Sequence, residues 1–230
     1  MSIFTARNML REVIEHDSHL LPVLNRFGIK LGFGDATIQQ ICDSHNINQE
    51  FFLAIINVYH NEGYFPTQKL LELDTNEIIR YLVESHRYYK TQIIPEIEQV
   101  LSDLVQNDNS HKDIFLLLKK FFENFKDEFN KHIEQEETII FTKILELTSA
   151  DARLNPEEKD LSFLDFVNIH SQLDDKINDI KNLLFRYLPP IDDVVKCNAF
   201  AMAILRFEKD LKDHGRIEDR VLYPKVKQYL

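Results

Sequence analysis

The chain has 230 residues and a formal net charge of -11 at pH 7. Its length allows one large domain or a small domain joined to a medium one, and its five glycines and seven prolines are too few for the turns of a β-sheet protein. The acidic balance, with no dense block of lysine or arginine, argues against nucleic acid as a partner, because phosphate binding requires a basic surface.

The N-terminus, MSIFTARNMLREVIEHDSH, is charged from residue 7 onward and contains no apolar stretch of signal-peptide length. The longest uncharged apolar run, AFAMAIL at residues 199–205, is much shorter than the roughly 20 residues that span a bilayer. Cys42 and Cys197 stand far apart in the sequence, which suits a reducing compartment. We therefore expect a cytoplasmic protein with no membrane partner.

The first part of the chain contains short amphipathic patterns that predict four helices. Asp35 is placed to cap the third helix and Asn48 to cap the fourth. The predicted helices cover roughly residues 5–16, 18–27, 36–44 and 48–60.

A composition shift at residues 61–75, where Gly63 and Pro66 interrupt the periodic segments, predicts a domain boundary. We assign residues 1–65 to a small N-terminal helical domain that binds a protein partner or forms a homodimer. The helix pair joined by SHNIN also has the spacing of a helix-turn-helix regulator, but the region holds more acidic than basic residues.

The second part of the chain predicts an antiparallel up-down four-helix bundle in residues 74–230, so that the fold class is all-α. Pro95 is expected to kink the first long helix without ending it, because the apolar spacing continues beyond it. The four long helices are predicted at about residues 74–106, 111–147, 162–187 and 191–222.

Each of the long helices places one histidine on its apolar stripe, and two of them add a glutamate one turn later. With antiparallel neighbours, these histidines lie about 19 to 24 residues from the turns that separate them, so they converge on one layer of the bundle. The residues of this layer are His86, His132, Glu136, His170, His214 and Glu218.

A single buried histidine is more often a hydrogen-bonded core residue than a metal ligand. Four imidazoles and two carboxylates in one buried layer, however, would be costly without a compensating cation. They are too many for one tetrahedral zinc, and imidazole-rich sites also accept iron, copper or nickel. We interpret the set as a di-iron site in which the four histidines are terminal ligands and Glu136 and Glu218 are bridges. The remaining histidines are assigned no metal: His16, His19, His45, His60 and His111.

At these residues the chain resembles hemerythrin-like four-helix domains, and more closely the di-iron proteins that repair iron centres. The resemblance is carried by the order of motifs: His86 alone, HIEQE from His132, His170 alone and HGRIE from His214. HGRIEDRVLYP also resembles the closing motif of the repair family. The segment VLNRFGIKLGFGDATIQQICDSHNINQEFF resembles the small domain that precedes the bundle in that family.

The chain departs from the repair family at one motif. A Cys-Cys pair normally follows FGI, but here Gly32 and Phe33 occupy the matching positions, although Cys42 matches a later family cysteine. A role of that thiol pair in redox transfer or metal handling therefore does not carry over to this chain.

The resemblance implies a di-iron centre with an oxo or hydroxo bridge and an open position for nitric oxide, oxygen or peroxide. The expected function is repair of iron–sulfur clusters damaged by nitric oxide or oxidative stress, with damaged iron–sulfur proteins or a small gas as partners. The alternative is an oxygen or nitric oxide sensing module that signals through its N-terminal helices. Glu128, one turn before His132, is a candidate for orienting an imidazole, although an exposed helix face explains it equally well.

Overall fold

The structure is a computed structural model that describes the backbone of residues 3–107, 110–148 and 163–227 and the side chains of residues 3–107, 110–148 and 173–225. The described residues form nine α-helices and no strand, and an isolated antiparallel bridge joins Met9 and Thr37. No helix in these ranges is long and apolar enough to span a bilayer. The predicted all-α class is confirmed.

Five short helices occupy the first part of the chain, and a 3-10 turn at Ser18–Leu20 precedes the second of them. They are α1 (Leu10–His16), α2 (Leu21–Arg26), α3 (Ile38–His45), α4 (Gln49–His60) and α5 (Thr67–Glu72).

Four long helices follow, and each contains one π-helical segment. The first, α6, comprises Thr75–Tyr88, π-helical Tyr89–Ile93 and Ile94–Asn107, and α7 comprises Lys112–Gln135, π-helical Glu136–Ile140 and Phe141–Thr148. The third, α8, comprises Phe163–Asn182 and π-helical Leu183–Tyr187, and α9 comprises Val194–Ile217, π-helical Glu218–Leu222 and Tyr223–Lys227.

The first helix is shorter than its apolar pattern predicts, because a polar side chain competes for a backbone hydrogen bond before it. The Asn8 carboxamide accepts a hydrogen bond from the Thr5 amide at 2.7 Å and closes a turn, so α1 begins only at Leu10. The prediction that Asp35 caps α3 is wrong. Thr37 caps that helix in a reciprocal box with Gln40, whereas Asp35 pairs with an arginine side chain.

The other predicted cap is confirmed, since the Asn48 side chain accepts from the second and third amides of α4. Helix α5 lies within residues 61–75, where a domain boundary but no helix was predicted. It begins directly after Pro66, whose fixed φ suits a helix start, and it buries Leu70 completely.

The described residues divide into two compact units. The first unit comprises residues 3–85 and 213–227, and the second comprises residues 86–107, 110–148 and 163–212. These units do not decide where the two predicted domains meet, and the boundary between residues 65 and 74 stays a prediction.

The first unit packs an aromatic cluster around a buried arginine. Arg26 is only 6% exposed, and its guanidinium donates hydrogen bonds to the hydroxyls of Tyr59 at 3.0 Å and Tyr81 at 3.2 Å. Phe27 lies against Tyr81 and against Phe52, with ring centroids 5.2 and 5.0 Å apart. The hydrogen bonds and the ring faces together offset the desolvation of the buried guanidinium.

The second unit is the four-helix bundle, in which the apolar faces of α6, α7, α8 and α9 share one core. Phe125 stands at its centre, with ring centroids 5.6 Å from Phe129 and 5.7 Å from Phe207. The short connection between α6 and α7 makes these neighbours antiparallel, as the sequence predicts.

Helix α6 continues past Pro95 because its backbone changes geometry just before that residue. The π-helical segment Tyr89–Ile93 ends two residues before Pro95, so the amide that proline lacks falls in a region where the usual ladder is already interrupted. The expectation that the helix does not end at Pro95 is confirmed.

Candidate metal centre

In the second unit, two imidazoles face opposite oxygens of one buried carboxylate. Glu136 is completely buried, its Oε2 lies 3.3 Å from Nε2 of His86, and its Oε1 lies 3.2 Å from Nε2 of His132. His86 comes from α6, whereas the other two residues come from α7. Both histidines are at least 96% buried, so the three polar groups meet inside the protein.

The sequence of α7 explains why His132 and Glu136 point inward. The helix has an amphipathic pattern whose apolar face includes Phe125 and Phe129, and His132 extends this face by one turn. Glu136 is one turn further and begins the π-helical segment Glu136–Ile140. Such π-helical insertions are frequent at functional sites, because they change the direction in which the following side chains point.

The second ring nitrogen of His86 has its own carboxylate partner. Nδ1 of His86 lies 3.0 Å from Oε1 of Glu137, whose other oxygen lies 3.7 Å from Nζ of Lys90. The hydrogen bond from His86, with a smaller contribution from the Lys90 charge, lowers the pKa of Glu137 although partial burial and Glu136 oppose this. An ionised Glu137 can only accept, so it fixes the proton on Nδ1 and leaves Nε2 as the ligand atom.

An aromatic side chain stacks on the face of the His86 ring. The Phe141 ring stacks on it with centroids 5.8 Å apart and an interplanar angle of 8°. Together with Glu137 this contact limits rotation of the imidazole. A ligand whose orientation is fixed before a cation binds loses less conformational entropy on binding.

The first unit contains a second pair of the same composition. Nε2 of His214 lies 3.1 Å from Oε1 of Glu218, and both side chains are buried. Glu218 begins the π-helical segment Glu218–Leu222, so both His-x-x-x-Glu pairs end at the start of such a segment.

An arginine between these two residues fixes this turn of α9. Arg216 donates hydrogen bonds to the carbonyl oxygens of Val58, Glu62 and Tyr64 at 3.0 to 3.3 Å, and to Asp213 at 2.8 Å. These carbonyls lie at the end of α4 and in the chain that follows it. Arg216 therefore holds the helix turn that carries the pair against the rest of the first unit.

Within each unit the structure brings predicted site residues together. His86, His132 and Glu136 meet in the second unit, and His214 and Glu218 meet in the first. The side chain of His170, which belongs to α8, lies outside the described residues. The assignment of all six residues as ligands of one centre stays a prediction.

Glu128, the candidate for orienting an imidazole, pairs with a lysine side chain. It is partly exposed, and its Oε1 lies 2.9 Å from Nζ of Lys176 on α8. Sequence reasoning missed Glu137, although its position directly after Glu136 places it on the edge of the same buried face.

Comparison with known proteins agrees with this arrangement. The hemerythrin HHE cation-binding domain matches residues 77–226 of the chain, which is well over half of its length. The iron-sulfur cluster repair protein ScdA of Staphylococcus haemolyticus (strain JCSC1435) is 18% identical over 228 residues, and the match covers 97% of this chain and 99% of that protein. The expected resemblance to hemerythrin-like repair proteins is confirmed at the level of the family. With its buried histidine–glutamate pairs and a domain match over most of the bundle, the chain belongs to the hemerythrin HHE cation-binding domain family.

Proposed function

We propose that the chain is a non-haem di-iron protein that takes part in the repair of iron–sulfur clusters damaged by nitric oxide or oxidants. The two irons would share an oxo or hydroxo bridge. The proposed ligands are those of the predicted layer, namely His86, His132, Glu136, His170, His214 and Glu218.

The observation that carries the proposal is the placement of Glu136 between two imidazoles. Two ligand atoms that bind one ion at about 2.1 Å, with an angle near 100° between them, are about 3.2 Å apart. The two nitrogen–oxygen distances at Glu136 agree with this value, one at each carboxylate oxygen. A carboxylate that offers one oxygen to each of two ions is a bridge, and this supports two ions in place of one.

The donor set is compatible with iron. The five described residues offer imidazole nitrogen and carboxylate oxygen and no thiolate, a combination that suits iron and zinc better than copper(I) or magnesium. Iron bound by such residues would supply reversible one-electron chemistry and an open position for a small ligand. The role of Glu137 is to hold the proton on Nδ1 of His86, so that the imidazole keeps one orientation in both oxidation states.

The repair role rests on the relative, whose name describes iron–sulfur cluster repair and whose whole length matches this chain. A second candidate, a sensor of oxygen or nitric oxide, is favoured by the loop after FGI. Gly32 adopts a φ of +101°, which a cysteine at that position would adopt only under strain. The loop is therefore built for glycine and not for the thiol pair of the repair family.

Metal content tests the site directly. We expect close to two irons per chain after anaerobic purification, and absorption bands of an oxo-bridged ferric pair after exposure to air. Replacing both His132 and His214 with alanine should remove the iron, whereas replacing both His45 and His111 should not, since these two belong to no predicted ligand set. Full iron content in the first double variant, or zinc alone in the unmodified chain, would contradict the ligand assignment.

Reactivation of an enzyme whose [4Fe–4S] cluster has been damaged with nitric oxide separates the two functions. A repair protein restores activity with the iron-loaded chain and fails with the His132→Ala/His214→Ala variant. A sensor binds nitric oxide with the same iron but leaves the damaged enzyme inactive. The second result would make the sensing function the correct one.

A further inference from the structure

The first unit contains a group of histidines that the proposed di-iron centre does not use. His16 is the last residue of α1 and His60 the last residue of α4, and Asp17 follows His16 directly. Their rings lie together, with centroids 5.3 Å apart and planes inclined by 60°. Two imidazoles and a carboxylate at the ends of two helices form a group of the kind that binds transition metals.

His60 has the surroundings of a metal ligand. Its side chain is 5% exposed, and Nδ1 lies 2.8 Å from Oδ2 of Asp17. The buried Nε2 of the same ring has no hydrogen-bond partner among the described residues. In metal sites a carboxylate commonly accepts from one ring nitrogen of a histidine and directs the other nitrogen at the ion.

His16 is placed at the distance that a shared ion requires. Two imidazoles that bind one zinc ion at about 2.1 Å, with a tetrahedral angle between the bonds, have ring centroids about 5.2 Å apart. The observed separation of 5.3 Å agrees with this value. His16 is exposed, so its ring can adjust to the ion while His60 keeps its position.

The surroundings favour a cation over an anion. The carbonyl end of α4, a helix of 12 residues, carries partial negative charge, and Asp17 adds a full one. Phe4 covers His60 on one side, with ring centroids 4.5 Å apart, and its backbone is held by two hydrogen bonds to Asn57. The phenyl ring excludes water from one side of His60, whereas His16 is exposed to solvent.

We propose that Nε2 of His60 and the imidazole of His16 bind one divalent transition-metal ion of the zinc class. Asp17 orients His60, and water completes the coordination sphere. With two protein ligands and open positions, the site exchanges its ion with solvent and is weaker than a closed four-ligand site. The bound ion links the ends of α1 and α4, so it stabilises the first unit. This proposal does not depend on the di-iron centre.

Zinc binding to the full chain tests the proposal. The iron-loaded protein is dialysed against micromolar Zn²⁺, and zinc and iron are both measured per chain. We expect one additional zinc with unchanged iron, and a higher melting temperature in zinc than in its absence. His16→Ala should lose this zinc and the zinc-dependent shift in melting temperature. If the purified chain holds no iron, the difference in zinc between the wild type and His16→Ala still gives the answer.

Two further variants make the result specific. His60→Asn removes Nε2 but keeps an amide that can donate to Asp17, and it should also lose the zinc. His19→Ala is the matched control, because His19 contacts the other oxygen of Asp17 at 3.3 Å and is half exposed, yet is not a proposed ligand. The proposal is wrong if the wild type holds no more zinc than His16→Ala, or if His19→Ala loses the zinc as well.

Discussion

Nδ1 of His86 lies 3.0 Å from Oε1 of Glu137, on the opposite side of the imidazole from the nitrogen that faces Glu136. Replacing Glu137 with glutamine removes the negative charge that fixes the proton on Nδ1. We expect iron affinity to fall by about 10- to 100-fold, the range typical for loss of a carboxylate behind a histidine ligand. Competition with an iron chelator measures this change.

The matched control for that experiment is Glu134→Gln. Glu134 is exposed on the same helix, and the substitution removes the same charge. Its iron affinity should equal that of the wild type. A positioning role for Glu137 would be contradicted if both variants lost affinity equally, since the effect would then come from net charge. An unchanged ferric absorption spectrum in Glu137→Gln would likewise argue that the imidazole orientation does not depend on this carboxylate.

A second prediction concerns Arg216, which donates to three backbone carbonyls of the first unit. Lysine cannot reach three acceptors in the geometry of a guanidinium, so Arg216→Lys leaves at least one of these carbonyls without its donor. Hydrogen bonds that involve a charged group contribute about 1.5–3 kcal/mol each. We expect the free energy of unfolding in urea to fall by roughly that amount.

Arg220→Lys provides the comparison for Arg216. Both guanidinium groups lie over the Phe65 ring at 5.2 Å, but Arg220 is exposed. An exposed cation–aromatic contact contributes about 0.5–1 kcal/mol, and lysine retains part of it. Equal losses of stability in the two variants would show that the carbonyl contacts of Arg216 add nothing beyond the ring contact.

Cys42 is predicted to be chemically inert in the folded chain. The thiol is fully buried, and burial, with a smaller contribution from Asp43, raises its pKa to about 11. Because only the thiolate reacts, alkylation at neutral pH should leave Cys42 unmodified while the less buried Cys197 is labelled first. Mass spectrometry of peptides from protein treated with iodoacetamide, with and without denaturant, distinguishes the two cysteines. Rapid labelling of Cys42 in the native protein would contradict its burial.

Apart from α5, the described helices and their order were predictable from the sequence because long amphipathic patterns dominate the chain. The buried stripe of α7 identified His132 and Glu136 from spacing alone, and the same pattern on α9 identified His214 and Glu218. Such stripes follow the period of the α-helix, which can be read from a single segment without knowing which helices pack against it.

The features that the sequence did not predict depend on contacts between helices or on small changes of backbone geometry. Each π-helical segment adds one residue to a helical turn. The apolar spacing on either side of Glu136 does not reveal this insertion. Glutamate is a typical surface residue, and only the contact of Glu137 with His86 on α6 shows that it orients that imidazole. In the same way, Asp35 was expected to cap α3 because aspartate favours that position, but its pairing with Arg11 competes with capping.

The stability of the bundle is predicted to depend on pH through Glu208. This side chain is only 8% exposed, and its Oε1 lies 2.8 Å from Nζ of Lys181 and 2.7 Å from Nζ of Lys212. Burial tends to raise the pKa of the carboxyl, but the two lysines have a larger combined effect and lower it. Since the pKa is lower in the folded state, the carboxylate stabilises the protein above the pKa of the unfolded state. This contribution is lost as the pH falls through the folded-state pKa.

Glu208→Gln should therefore be less stable than the wild type at pH 7, and the difference should shrink below about pH 5 as the wild-type carboxyl takes up a proton. Urea unfolding at a series of pH values measures it. Glu123→Gln is the control, because Glu123 is half exposed and lies 4.0 Å from Lys119, a surface pair expected to contribute about 0.3–0.5 kcal/mol. A stability difference for Glu208→Gln that stayed constant down to pH 3 would show that packing of the side chain, and not its charge, stabilises this part of the bundle.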